Sequence, residues 1–188
     1  MPDNKDNSQR KNEFIDAAEK LFRENGIVDT TVNSIVKELD VAKGLFYYYF
    51  DSKDDVINAI SEKYNEIFNQ MMMDQMGELN YSDKLKRFIS NTTNSFRELD
   101  SKLRGASEKV DLVQLSTRSK EEAKAQAIST LTGLLEEGND KNEYMFTHTR
   151  YYANILISGI LELIEEGEAT NEEIEFIIFD LIERAGKD

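Results

Sequence analysis

Apolar residues recur at helical spacing along nearly the whole chain, and the breaks between runs fall at residues that cap or end helices. Phe14, Ala17, Ala18, Leu21 and Phe22 form one stripe, and Gly26 behind it predicts a first helix closed by a glycine cap. Thr31 opens a second pattern in which Val32, Ile35, Val36 and Leu39 share a face. Its hydroxyl is placed to accept from the free N–H groups of that first turn. A third pattern, 42–50, spans two turns and persists only if it packs on something; Phe46 and Phe50, four apart, supply the anchor. Ser52 with Asp55 predicts the capped start of a longer helix striped by Val56, Ile60, Tyr64, Ile67, Phe68 and Met71. Residues 77–81 read as a loop.

From Ser82 a further helix carries Leu85, Phe88, Ile89, Thr92 and Phe96 on one face. The stretch 100–117, interrupted by Gly105, reads as a short helix and a loop. Ser119 with Glu122 forms another capping pair, which predicts a helix through Ala123, Ala127, Leu131, Leu134 and Leu135 to a cap at Gly138. Two more helices follow at 142–166 and 170–185, the first ended by Gly167 and the second opened by Thr170 with Glu173. The chain is therefore expected to be all-α, with about nine helices.

The last two helices have apolar faces wider than one core contact needs. In the final one, Ile174, Phe176, Ile177, Ile178, Phe179, Leu181 and Ile182 cover more than a third of the circumference. One side can meet its own subunit; the other calls for a second chain, most simply in a symmetric dimer. The residues assigned to that contact are Tyr151, Ile155, Gly159, Leu163, Ile174, Ile178 and Leu181, with small Ser158 beside them.

Composition narrows the picture. With 188 residues the chain can hold one or two domains, and one proline with no tryptophan leaves the helices almost uninterrupted. The absence of cysteine excludes disulfides and thiolate metal sites. The polar start MPDNKDNSQRK has no signal-peptide core and no run approaches a membrane span, so the expectation is a cytoplasmic chain with no membrane partner. A helical metal site would use a carboxylate three residues before His148, where Met145 stands. With one histidine, no nucleophile motif and no glycine-rich phosphate loop, neither enzyme nor cofactor is expected.

Chemistry concentrates at 31–53. Opposite Phe46 and Phe50, the third pattern turns Lys43, Gly44, Tyr47 and Tyr48 outward. Aromatics exposed beside lysines suit a phosphate backbone next to a major groove. The net charge of −14 opposes nucleic acid, but residues 1–53 hold 8 Lys and Arg against 10 Asp and Glu, so the acid lies mainly elsewhere. With a Debye length of ~8 Å at physiological salt, the arrangement of Arg10, Lys11, Lys43 and Lys53 outweighs the total.

The order IDAAEKLF, a glycine, TTV, KG, YYYF and SK resembles the N-terminal domain of the TetR family of bacterial transcriptional regulators, from about Phe14 to Val56. The resemblance implies a three-helix helix-turn-helix domain at 1–51, with 31–39 as its first helix and 42–50 as the recognition helix, and a helical ligand-binding and dimerisation domain at 52–188. It implies that Thr31 and Lys53 meet phosphate, that Lys43 and Gly44 approach base edges, and that Tyr47, Tyr48 and Tyr49 touch backbone or base. Three positions depart from the usual pattern: Asp40 stands at the turn glycine, Ala42 at the hydroxyl opening the recognition helix, and Leu45 at the hydroxyl after Gly44. Leu45 instead suits a thymine methyl.

By the same resemblance the chain is a homodimer on a palindromic double-stranded DNA operator, a repressor released by a small-molecule effector among the middle helices. Met71, Phe88, Thr92, Phe96, Tyr144, His148 and Tyr152 are the residues assigned to that effector, His148 on a helix face turned inward. The alternative is a helical dimer that has lost specific DNA binding and serves as a small-molecule or protein-interaction module.

Overall fold

The computed structural model describes residues 4–104 and 110–187, and the side chains of 7–102 and 117–187. Eight helices and no strand occur among the described residues: α1 (Asn4–Asn25), α2 (Val32–Glu38), α3 (Lys43–Tyr49), α4 (Lys53–Met72), α5 (Tyr81–Arg104), α6 (Val110–Asp140), α7 (Thr149–Glu166) and α8 (Asn171–Ala185). They form two compact units, one of Met1–Tyr64 with Leu103–Ser119, the other of Asn65–Lys102 with Lys120–Asp188. The break expected at Gly105 lies outside the described residues.

In the first unit the caps do what the sequence implies. Gly26 ends α1 with φ of 91°, its N–H donating to Phe22 O at 2.8 Å. Thr31 caps α2 by accepting from Ser34 N–H at 3.1 Å, while Ser34 Oγ accepts from Thr31 N–H at 2.9 Å. Asp40 makes the turn with φ of 52°. Ser52 and Asp55 exchange the same pair of bonds at the start of α4. Phe14 is the hub: its ring meets Phe46 edge-on at 5.8 Å and Phe50 at 6.4 Å, so α1 supplies the surface that α3 needs.

The second unit packs Phe68 of α4 on Phe96 of α5 at 4.8 Å, with Leu85, Phe88 and Ile89 buried beside them. Ala127, Leu131 and Leu135 come from α6, Ile157, Ile160 and Ile164 from α7, and Ile174, Ile178 and Ile182 from α8. Met72 and Met76 are the methionines buried in this core; Met71 is partly exposed.

Three expected boundaries are corrected. No helix starts at Ser119, because α6 runs through it, and its buried hydroxyl lies 3.0 Å from that of Ser61. A hydroxyl and a carboxylate three apart also share a face of an unbroken helix, so the signature does not demand a start. This lowers the count from nine to eight among the described residues. The helix expected at 142–166 begins only at Thr149. Asn139 uses its side-chain amide twice on Phe146, donating to its O and accepting from its N–H, both at 2.8 Å, and Met145 N–H donates to Gly186 O. These bonds take up backbone groups that helix would need. Gly138 is not the cap either: it sits inside α6, where a Cβ would collide with the Tyr81 ring.

Candidate nucleic-acid interface

α3 is seven residues long, and its N-cap Ala42 makes no side-chain bond to the first turn. Packing therefore holds it in place of capping. Phe46 is fully buried and Phe50 nearly so, while Tyr49 leans on Phe14 at 5.8 Å and is partly buried. This fixes the opposite face. Lys43 and Gly44 are exposed, Tyr47 is 49% exposed and Tyr48 67%.

The outward face has internal order. Lys43 Nζ stands 5.8 Å from the Tyr47 ring centroid, and Tyr48 meets Tyr49 edge-on at 4.9 Å. Such contacts restrict two long side chains before any partner arrives. A Cβ on Gly44 would touch nothing within 4 Å, so the glycine answers no packing demand of the chain itself and leaves the backbone open to close approach. Leu45 is partly buried, and Thr31 is exposed at the start of α2. Lys53 is placed differently: it is partly buried, and Nζ donates to Ile27 O at 2.5 Å and Thr30 O at 2.9 Å.

Much of the acid near this face is already matched. Glu13 pairs with Arg10, Glu38 with Lys20, Glu19 with Arg23, and Asp16 with Lys63. On the side of α3 toward α4, Asp51, Asp55 and Glu62 rim a hollow of ≈ 460 Å³. Lys11, Tyr48 and Tyr49 line the same hollow, so it mixes acidic, basic and aromatic groups.

The seven residues assigned to an effector do not come together as one set. Phe88, Thr92 and Phe96 lie in the interior of the second unit. Tyr144 is buried with its hydroxyl donating to Glu183, and Tyr152 packs on Phe146 at 5.0 Å. Met71 borders a surface hollow of ≈ 410 Å³ with Asn91 and Asn94. His148 is corrected: it faces outward, since α7 begins one residue later and His148 is its exposed N-cap, beside the Tyr151 ring. Sequence reasoning missed a polar feature. Asn65 Oδ1, Asn69 Oδ1, Thr92 Oγ1 and Thr93 Oγ1 are buried with no hydrogen-bond partner among the described residues. The available signal was the Asn65 and Asn69 pair, four apart on α4 and flanking the apolar stripe of Tyr64 and Phe68.

The residues assigned to the dimer contact also divide. Ile174 and Ile178 are buried against their own subunit and cannot reach a second chain. Tyr151 and Ile155 are each 68% exposed, Leu181 48%, and Gly159 and Leu163 partly buried. Phe176 and Ile177 take the outward places, at 73% and 45% exposure. A 3.6-residue period separates 174, 178 and 182 from 177 and 181 by one step, and only packing reveals which stripe turns inward.

Among the described residues no three or more His, Asp or Glu are grouped to hold a metal ion, and no helix is long and apolar enough to cross a membrane.

Residues 14–60 match the family model described as bacterial regulatory proteins, tetR family. The chain is similar to the HTH-type transcriptional regulator HbdR of Aromatoleum sp. (strain CIB), 45% identical over 49 residues, which is 26% of this chain and 21% of that protein. It is similar to IcaR of Staphylococcus aureus, a negative transcriptional regulator of the biofilm operon icaADBC, 34% identical over 80 residues, 42% of this chain and 43% of that protein. The matches thus span less than half the length of these curated relatives. Among solved structures it resembles SmeT, the repressor of the Stenotrophomonas maltophilia multidrug efflux pump SmeDEF, with TM-score 0.69 and 21% identity over 95% of this chain and 90% of that one; SmeT is also solved as a complex with triclosan. At that identity the likeness speaks for the fold.

Proposed function

We propose that this chain, whose residues 14–60 match the tetR family of bacterial regulatory proteins, is a DNA-binding transcriptional repressor that acts as a homodimer and is released by a small-molecule effector. One observation carries the DNA reading: Phe46 and Phe50 pin α3 on Phe14 and so present Lys43, Gly44, Tyr47 and Tyr48 together to solvent. Lysine supplies phosphate attraction, glycine permits close approach, and tyrosines offer both stacking surface and hydroxyls. Thr31 adds a donor at the start of α2. Repression is read from IcaR and SmeT, both described as negative regulators. A DNA-bound role places the chain in the cytoplasm.

The homodimer reading is supported by the outward apolar set Tyr151, Ile155, Phe176, Ile177 and Leu181. A twofold pair can present recognition helices ~34–36 Å apart, which corresponds to a palindromic operator. The effector reading is supported by the unpartnered buried atoms of Asn65, Asn69, Thr92 and Thr93. Each such group costs about 1–3 kcal/mol when left unpaired, and a ligand that bonds them offsets it. A coupling of ~1–3 kcal/mol between effector and operator suffices for regulation. In this reading the helix from Ser52 transmits the change, and 1–51 and 52–188 divide the labour.

Mobility-shift titration of the DNA flanking the chain's own gene tests the function. A specific shift, weakened by Lys43→Ala and Tyr48→Ala, is expected. No shift with any promoter fragment at low salt would instead favour the small-molecule or protein-interaction module, to which Ala42 and Leu45 in place of hydroxyls would then point.

A further inference from the structure

Lys53 is the position that family resemblance gives to phosphate, yet its ammonium is engaged within the protein. Nζ donates to Ile27 O and Thr30 O, both carbonyls of the segment joining α1 to α2. Two of its three protons are therefore committed. The same segment is also held by Thr30, whose single hydroxyl proton is given to Gly26 O at 2.7 Å and shared with Leu21 O at 3.2 Å. Lys53 is also the first residue of α4, where the helix dipole disfavours a cation. The two carbonyls compensate for that, and solvent or phosphate is not needed to explain the placement. The residue following Thr30 is Thr31, the N-cap of α2.

We propose that Lys53 is a positioning residue that clamps the loop before α2 and so sets Thr31 for phosphate contact, in place of holding a phosphate itself. This rests on the DNA-binding reading above. The two roles differ in counterion release. Losing a lysine that neutralises a phosphate reduces the salt dependence of affinity by about 0.9 in the log–log slope for each such contact. Losing a clamp misplaces a neutral hydroxyl and leaves the slope where it was.

The test uses the full chain and a duplex that the wild-type protein selects from a random-sequence pool, titrated over a salt series. Lys53→Met is expected to weaken binding about tenfold at every salt concentration, the effect of one lost charge-assisted hydrogen bond, with an unchanged slope. In a Thr31→Val background the same substitution should have little further effect. Lys53→Arg keeps the charge and serves as the folding control, with melting temperature followed for every variant. In the free protein, hydrogen exchange at Ser34 and Ile35, whose N–H groups donate to Thr31 Oγ1 and Thr31 O, should quicken in Lys53→Met at unchanged melting temperature. A slope reduced by the phosphate increment, or a loss additive with Thr31→Val, would overturn the clamp, and so would unaltered exchange. If the wild-type chain captures no duplex, the DNA reading fails and the positioning role with it, while the exchange measurement still decides whether the loop is clamped.

Discussion

Arg23 and Tyr64, on α1 and α4, are joined by a 2.6 Å hydrogen bond from the guanidinium Nη2 to the phenol oxygen. The Tyr64 hydroxyl in turn donates to Glu19, which also receives Lys63 at 3.0 Å, while Lys63 reaches Asp16 at 2.7 Å. α1 carries Phe14, the hub under α3, so this network ties α4 to the helix that supports the proposed recognition surface. Tyr64 is 4% exposed, which sets its bonds to Arg23 and Glu19 apart from exposed ion pairs such as Lys63 with Asp16.

The acid limb of stability should report Glu19. Burial pushes its carboxyl up, but the bonds from Tyr64, Lys63 and Arg23 outweigh burial and hold it below the ordinary 4.5. Its stabilising contribution is complete above that ordinary value and is lost as pH falls through the lower folded value. Urea melts of wild type and Glu19→Gln should therefore differ at neutral pH and converge in acid. A gap that stays constant with pH would contradict this.

At the alkaline end the group to follow is Tyr64. Burial, reinforced by the Glu19 carboxylate, pushes the phenol up from 10.0 to about 12. Its contribution is present below the ordinary value and is lost as pH rises through the folded one. Phenolate absorbance of wild type minus Tyr64→Phe should show a proton released near that higher value; release at the ordinary value would mean the network is not closed in solution.

Phe46 and Tyr48 lie two residues apart on α3 and should behave oppositely. Phe46→Ala empties a fully buried site and should cost about 3–5 kcal/mol in urea unfolding. Tyr48→Ala, at an exposed position, should leave stability within about 0.5 kcal/mol while weakening DNA binding. Equal losses of stability would mean that Tyr48 is packed.

On α8 the two stripes can be separated by sedimentation. Phe176→Glu with Leu181→Glu should give folded monomers, because both side chains point out of their own subunit. Ile178→Ala should instead lower stability by about 2–5 kcal/mol as a core truncation. A double variant that still sediments as a dimer would place the interface elsewhere.

Gly138 offers a test of close packing. A Cβ there would overlap the Tyr81 hydroxyl and come within 3.1 Å of Tyr144. Tyr81 also donates to Leu134 O at 2.9 Å, so its ring is not free to yield. Gly138→Ala should cost about 1–3 kcal/mol by thermal unfolding, and a neutral outcome would show that the ring relaxes.

Local pattern was enough for features whose cause is local. Gly26, Thr31, Ser52 with Asp55, and Thr170 with Glu173 bound their helices as expected, because a cap is a bond between residues three or four apart. The anchoring of α3 through Phe46 and Phe50 was legible for the same reason, since a helix too short to stand alone must bury its large side chains. What the chain could not disclose depends on residues distant along it. Ser119 lies inside α6 opposite Ser61, and 142–148 is held off helix by Asn139 and Gly186. Lys53 is drawn to two carbonyls over twenty residues earlier, and Ile178 turns inward where Ile177 turns out. Each of these is a choice between states of nearly equal local energy, and the partner that tips the balance is brought close only by folding.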